Sequence, residues 1–227
     1  VTNTRQLPLL VPPIACMDAM RWLELLPPSS VDMVVTDPPY ESLEKHRSTG
    51  TTTRLTNDWF PTISNDVYPE LMRLLYGILR PHSHCYIFCD QETAFHLHPA
   101  GLAAGFTFWK PLVWDKMAMG MGYHYRARYE LIMFFEKGSR QLTDRSMPDI
   151  LEVKRVYHTH RVYPTEKPID LLSMLVRQSA LPGEVVCDPF LGSGVSLVAA
   201  KKAGCQTWGC DLEQRSVDIT LNRLAEL

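Results

Sequence analysis

The sequence predicts an α/β fold in which a mostly parallel sheet carries helices on both faces. Two observations predict it. Apolar, β-branched runs of strand length alternate with helix-length stretches of amphipathic spacing along most of the 227 residues. Two of the strands also end in loops of special composition, one of prolines and one of glycines, at the edge where such sheets bind ligands.

Residues 17–26 place Met20, Leu23 and Leu26 near helical spacing and stop at Pro27-Pro28, a short helix. Residues 31–36 form a β-branched strand ended by Pro38-Pro39, which continue neither ladder nor helix. The stretch 41–64 is rich in Thr, Ser, Gly and charge, and its length suits a functional loop. Helix 66–79, strand 85–89, helix 91–104 and strands 107–114 and 129–135 follow. From 138 to 161 the pattern turns irregular, polar and basic, which predicts an insertion between scaffold elements. Helix 168–180 precedes the clearest stretch, strand 185–187, a glycine turn, helix 195–203, strand 207–210 and helix 214–225. One domain over 1–227, with a small insertion at about 138–162, accounts for the length.

The charge of −2, from 23 basic and 25 acidic residues, excludes a global positive field, so any nucleic-acid surface must be local. Six scattered cysteines without CxxC spacing predict reduced thiols, no zinc and a cytoplasmic location. No apolar run is long enough to span a membrane, and residues 7–14, broken by Pro8, Pro12 and Pro13, do not read as a signal peptide. His82, His84, His96 and His98 lack metal-ligand spacing and read as surface or satisfied core residues.

The loop Asp188-Pro189-Phe190-Leu191-Gly192-Ser193-Gly194 lies between strand and helix. There glycines let the backbone approach a ligand, and the helix amino end favours an anionic group. Asp211 closes the next strand, the position from which a carboxylate accepts ribose hydroxyls, so a nucleoside cofactor is implied. Asp37-Pro38-Pro39-Tyr40 also follows a strand, and both loops should face one cleft.

With these residues in this order, the chain resembles the β class of permuted amino DNA methyltransferases, whose DPPY loop precedes the glycine-rich cofactor loop. Cys16-Met17-Asp18, Arg128-Tyr129-Glu130, Thr165-Glu166-Lys167-Pro168 and Gly209-Cys210-Asp211 share the resemblance. It implies a Rossmann-like methyltransferase fold, S-adenosylmethionine as cofactor and DNA as substrate. Asp18 is then expected by the cofactor adenine and Asp211 by its ribose. Lys167, with the turn of Gly192, Ser193 and Gly194, is expected by its amino-acid end, and Phe190 bordering it. Pro168, Asp188, Pro189 and Ser196 complete the expected cofactor set. Met17 stands where the family usually has Gly, and Val195-Ser196 where it often has two Thr.

An exocyclic amino nitrogen on adenine or cytosine delocalises its lone pair into the ring and is a poor nucleophile. Asp37 accepting one N–H and the Pro38 carbonyl the other would localise that pair, with Pro39 stiffening the turn. A paired base cannot reach the cleft, so the target is expected flipped out, with Tyr40 stacked on it. An aspartate in the first position resembles the adenine-N6 enzymes, with cytosine-N4 as the alternative. An RNA amino-methyltransferase and a non-catalytic DNA-binding module are the remaining readings.

Residues 122–161 hold eight basic and five acidic residues, interleaved with Tyr123, His124, Tyr125, Tyr157, His158 and His160. Arg126, Arg128, Arg140, Arg145, Lys154, Arg155 and Arg161 are the candidate contacts to double-stranded DNA, a solvated charged face being the alternative. So small an insertion predicts a homodimer sharing the DNA.

Overall fold

A computed structural model of the chain describes residues 11–42, 62–120, 124–157, 159 and 165–227. The expected loop over 41–64 therefore lies largely outside the described residues, as do Arg161 and residues 7–10 of the proline-broken run. Among the described residues the strands are β1 (Ile14–Cys16), β2 (Val31–Thr36), β3 (Leu79–Cys89), β4 (Thr107–Asp115), β5 (Tyr129–Lys137), β6 (Ile150–Glu152), β7 (Val185–Asp188) and β8 (Gln206–Asp211). The helices are α1 (Ala19–Leu25), α2 (Tyr68–Ile78), α3 (Gln91–Ala104), α4 (Ile169–Ser179), α5 (Val195–Lys202) and α6 (Gln214–Ala225).

All eight strands join one sheet in the order β1-β8-β7-β2-β3-β5-β4-β6. Only β5 runs against its neighbours. The expected mostly parallel sheet is present, with helices on both faces. Alternation along β2 explains the layering, because Val34 enters one apolar cluster while Met33 and Val35 enter the other. The first cluster takes Trp22 and Leu23 from α1, Leu71, Met72 and Leu75 from α2, and Leu97 from α3. The second takes Leu171, Leu172, Leu175 and Val176 from α4 and Ala199 and Ala200 from α5. Each large aliphatic or aromatic side chain buried this way contributes about 1.5–3 kcal/mol.

Helix α3 matches its expected bounds because both ends are marked. Asp90 caps it by accepting from the Thr93 amide at 2.8 Å, and Gly105 ends it in the left-handed region. Three differences from expectation have physical causes. Strand β3 starts six residues early, since its polar start pairs with β5 and buried His84 finds partners in Ser179 (2.7 Å) and the Arg140 carbonyl (3.0 Å). Strands β1 and β6, three residues each, carry too little periodicity to see and exist by pairing with β8 and β4. Strand β6 lies inside the expected insertion.

Because every strand but β5 points the same way, one sheet edge collects the ends of β1, β2, β3, β4, β6, β7 and β8 with the start of β5. Asp37, Asp90, Asp115, Glu130, Asp188 and Asp211 all stand on that carboxyl edge. No helix among the described residues is long and apolar enough to cross a membrane.

Candidate active site

Strands β7 and β2 are neighbours, yet the chain leaves them toward opposite ends of the sheet, β7 through α5 to β8 and β2 through α2 to β3. A crevice opens outside the carboxyl ends where strand order reverses this way. The proline loop and the glycine loop both open into it. Thr36, the last residue of β2, donates its hydroxyl to Asp188 Oδ1, the last residue of β7, at 2.7 Å. A cleft of about 450 Å3 extends from that junction and is lined by Asp18, Asp37, Tyr40, Phe190, Gly192 and Asp211 among others.

The glycine loop is built from below. Asp188 is buried and accepts from Thr36, from the Ser196 hydroxyl and from the Phe190 amide at 3.0 Å. Burial pushes its carboxyl up to about 7 despite those donors. Asp188 and Ser196, both expected to serve the cofactor, thus bond each other and hold the loop. Gly192 and Gly194 have φ of +50° and +70°, and a Cβ on Gly194 would collide with Thr220 of α6. Asp211 Oδ2 accepts from the Gly192 amide at 2.9 Å, which fixes the end of β8 against the turn. Asp18 is exposed and caps α1 by accepting from the Arg21 amide at 3.1 Å. Pro189 and Ser193 are buried, Phe190 is half-buried against the core, and Pro168 occupies the N-cap of α4.

The proline loop is held by charge. Asp37 Oδ1 accepts from the Tyr40 hydroxyl at 2.6 Å, and Oδ2 is bonded to Lys167 Nζ. Lys167 Nζ lies 3.3 Å from Glu130 Oε2, and Lys116 Nζ lies 2.5 Å from Glu130 Oε1. Burial opposes the charge on Lys167, but Asp37 and Glu130 outweigh it and hold the ammonium's pKa above its ordinary value. Burial likewise opposes the Glu130 carboxylate, and Lys167 and Lys116 outweigh it and lower the pKa. Burial, then Asp37, pushes the Tyr40 phenol well up, so it remains a donor. The Pro39 carbonyl accepts from the Ile63 amide at 3.1 Å, and Ser42 bonds Asp90 at the start of α3.

Lys167, expected by the cofactor's amino-acid end, lines the cleft and pairs with Asp37 and Glu130. Tyr40, expected to stack on the flipped base, also lines the cleft and is buried with its hydroxyl on Asp37.

Comparison with known proteins decides the family. The DNA methylase model for N6 and N4 methyltransferases matches residues 31–222, spanning both loops. The chain belongs to the N6/N4 DNA methylase family. YubD of Escherichia coli (strain K12) is 29% identical over 92% of this chain and 88% of its own length. The type II methyltransferase M.HpaI of Haemophilus parainfluenzae is 25% identical over 93% of this chain and 73% of its own. Among solved structures, the M1.HpyAVI–SAM complex is similar with a TM-score of 0.72 at 18% identity, over 93% of this chain and 98% of that one.

In this methylase the candidate DNA contacts divide between two edges. Arg126, Arg128, Lys154 and Arg155 are exposed at the carboxyl edge, and Arg155 borders the cleft. Arg140 follows β5 to the opposite edge, where its guanidinium grips Glu184 at 2.7 Å and 3.3 Å. Arg145 stands there too, next to Asp144, whose amide is bonded to Gln178 at the end of α4. Antiparallel β5 causes this, because it carries the chain away from the cleft before β6 brings it back. Among the described residues no group of His, Cys, Asp and Glu suits a metal ion.

Three residues of the methylase's site carried no assignment in the sequence. Lys116 follows β4, and its place just past a strand end was a usable signal. Thr36 had the same signal. Arg223 of α6 donates to the Ser193 carbonyl at 2.9 Å and to Glu166 Oε1 at 2.6 Å, joining the glycine turn to the segment that carries Lys167. Nothing local marks it.

Proposed function

We propose that this methylase transfers a methyl group from S-adenosylmethionine to the exocyclic N6 of an adenine flipped out of double-stranded DNA, as a permuted β-class enzyme of the DPPY type. The observation that carries the reading is the meeting of the two loops across the Thr36–Asp188 bond, with Asp37 and the Gly192–Gly194 turn lining one cleft.

The cleft fits the cofactor. Gly192, with its positive φ, and Ser193 line it for the amino-acid end, Asp211 and Asp18 supply carboxylates for ribose and adenine, and Phe190 and Leu212 give apolar borders. When bound, S-adenosylmethionine supplies an electrophilic methyl on a sulfonium. The protein's own part is to aim the nitrogen. Asp37, fixed by Lys167 and backed by Glu130, accepts a hydrogen bond from one amino N–H, the Pro38 carbonyl accepts one from the other, and the single proton the methylated nitrogen sheds is released to solvent. These acceptors drive the lone pair out of the ring toward the methyl. Lys167 orients Asp37, and Tyr40 borders the base once its hydroxyl releases Asp37. Arg126, Arg128, Lys154 and Arg155 take the phosphates, with Arg161 and the 138–162 segment as part of one catalytic domain.

The adenine choice rests on aspartate at position 37. Cytosine N4 stays open as the second target, because its amino group needs the same two acceptors and a fold relative at TM-score 0.74 is the PvuII cytosine-N4-specific methyltransferase. The homodimer and the cytoplasmic location are part of the same proposal, and sedimentation showing only monomer with and without DNA would refute the dimer. Digestion of methylated DNA to nucleosides followed by mass spectrometry tests the function. N6-methyladenine is the expected product, N4-methylcytosine alone would move the target, and methyl incorporation into RNA but not DNA would overturn the reading.

A further inference from the structure

Lys116 lines the cleft and is joined to Asp37 through Glu130 and Lys167. We propose that Lys116 is a positioning residue for methyl transfer: by occupying one oxygen of Glu130 it leaves Lys167 free to hold Asp37. This rests on the methyl-transfer reading above.

The sheet places the residue. Trp114 of β4 stands opposite Glu130 of β5 in the antiparallel ladder, and Lys116, two positions on, falls on the same face. Trp114 is buried, and its indole N–H donates to the Val153 carbonyl at 2.8 Å. The Lys116 ammonium lies 5.4 Å from the centre of that fixed ring. Its backbone is pinned as well, the amide donating to the Arg128 carbonyl at 2.9 Å and the carbonyl accepting from the Arg155 amide at 3.4 Å. From there Nζ meets Glu130 Oε1 at 2.5 Å. Lys167 Nζ, 5.2 Å from the centre of the Phe88 ring, lies 3.3 Å from Glu130 Oε2 and is bonded to Asp37 Oδ2. Two lysines, each beside an aromatic ring, thus bracket Glu130.

The four charges alternate in sign from Lys116 to Asp37. Lys167 alone cannot compensate two carboxylates largely withdrawn from water, and an uncompensated buried charge is strongly destabilising. With Lys116 in place, Glu130 has a cation of its own and Lys167 stays on Asp37. With that charge gone, Glu130 and Asp37 compete for one ammonium, and the acceptor that aims the amino nitrogen loses its fixed direction. A phosphate contact, the role suited to exposed Arg128, Lys154 and Arg155, does not fit Lys116, whose side chain is 21% exposed and whose ammonium is committed to Glu130.

The test uses Lys116→Met, which keeps the aliphatic stem beside Trp114 and removes the charge, together with Glu130→Gln and the double variant. Each is assayed by single-turnover transfer of labelled methyl to unmethylated genomic DNA. Lys116→Met should lower the rate constant about 5- to 30-fold, with S-adenosylmethionine affinity by calorimetry and the DNA concentration for half-maximal rate within about 3-fold of wild type. The double variant should be faster than Lys116→Met and within about 2-fold of Glu130→Gln alone, because removing the Glu130 charge ends the competition for Lys167. A loss of packing alone would not be relieved in this way. An unchanged rate in Lys116→Met, a double variant no faster than it, or a loss confined to DNA affinity with the salt slope lower by about 1 overturns the positioning role. Absence of incorporation by the wild type would instead strike the proposed function itself, and this inference with it.

Discussion

Thr36 and Asp188, 152 residues apart in sequence, share a buried 2.7 Å hydrogen bond at the carboxyl ends of two neighbouring strands. That bond joins the loop proposed to carry the catalytic acceptors to the loop proposed to cradle the cofactor. Burial at that junction also desolvates Asp188, which has a measurable consequence.

The Asp188 carboxyl moves from 3.8 in the unfolded chain to about 7 in the fold. Between those values the folded protein holds a proton that the unfolded chain has lost. The stability from this group is therefore complete below about pH 4, falls as pH rises to about 7, and is level above, a span of up to about 4 kcal/mol. Asp188→Asn removes the titration. Thermal melting from pH 5 to 8 should show the variant gaining on the wild type as pH rises, and parallel pH profiles would refute the assignment.

Arg223 bridges the glycine turn and Glu166, so Arg223→Ala should loosen the cofactor pocket while leaving the acceptors in place. Losing two hydrogen bonds, one of them to a charge, predicts a KM for S-adenosylmethionine raised about 10- to 100-fold. The rate constant at saturating cofactor should change only a few-fold. Arg223→Lys should not restore the KM, because an ammonium cannot span both acceptors as the fork does. A fall in kcat alone would place Arg223 elsewhere in the mechanism.

Removing the Tyr40 hydroxyl separates its two roles. Tyr40→Phe deletes one donor to Asp37, which keeps Lys167, and should cost under about 10-fold in kcat/KM for DNA. Tyr40→Ala also deletes the ring beside the base and should cost about 100-fold. Equal losses in the two variants would mean that the hydroxyl, not the ring, matters.

Much of this was legible in the sequence because the chemistry sits at strand ends. The motif order and the pitch of the elements placed Asp37, Phe190, Gly192 and Asp211 on one edge without reference to any contact. What sequence could not supply was partnership. The Lys167–Asp37 pair spans 130 residues and Arg223–Glu166 spans 57, distances at which no periodicity connects them. Charge counting over 122–161 similarly grouped residues that antiparallel β5 then separates to opposite edges.

That separation makes the DNA surface testable. Binding to duplex DNA should weaken steeply with salt, and Lys154→Ala or Arg155→Ala should each lower the log–log slope by about 1. Arg140→Ala should leave the slope unchanged and lower the melting temperature instead, since it strands Glu184. A reduced salt slope in the Arg140 variant would return that residue to the DNA.

The most direct measurement of the division of labour is Asp37→Ala, assayed for labelled-methyl incorporation into DNA and, by calorimetry, for S-adenosylmethionine binding. Turnover should fall by about 1000-fold or more, with cofactor Kd within a few-fold of wild type, since Lys167 keeps Glu130 as its partner. Retained turnover, or a comparable collapse in cofactor affinity, would contradict the account.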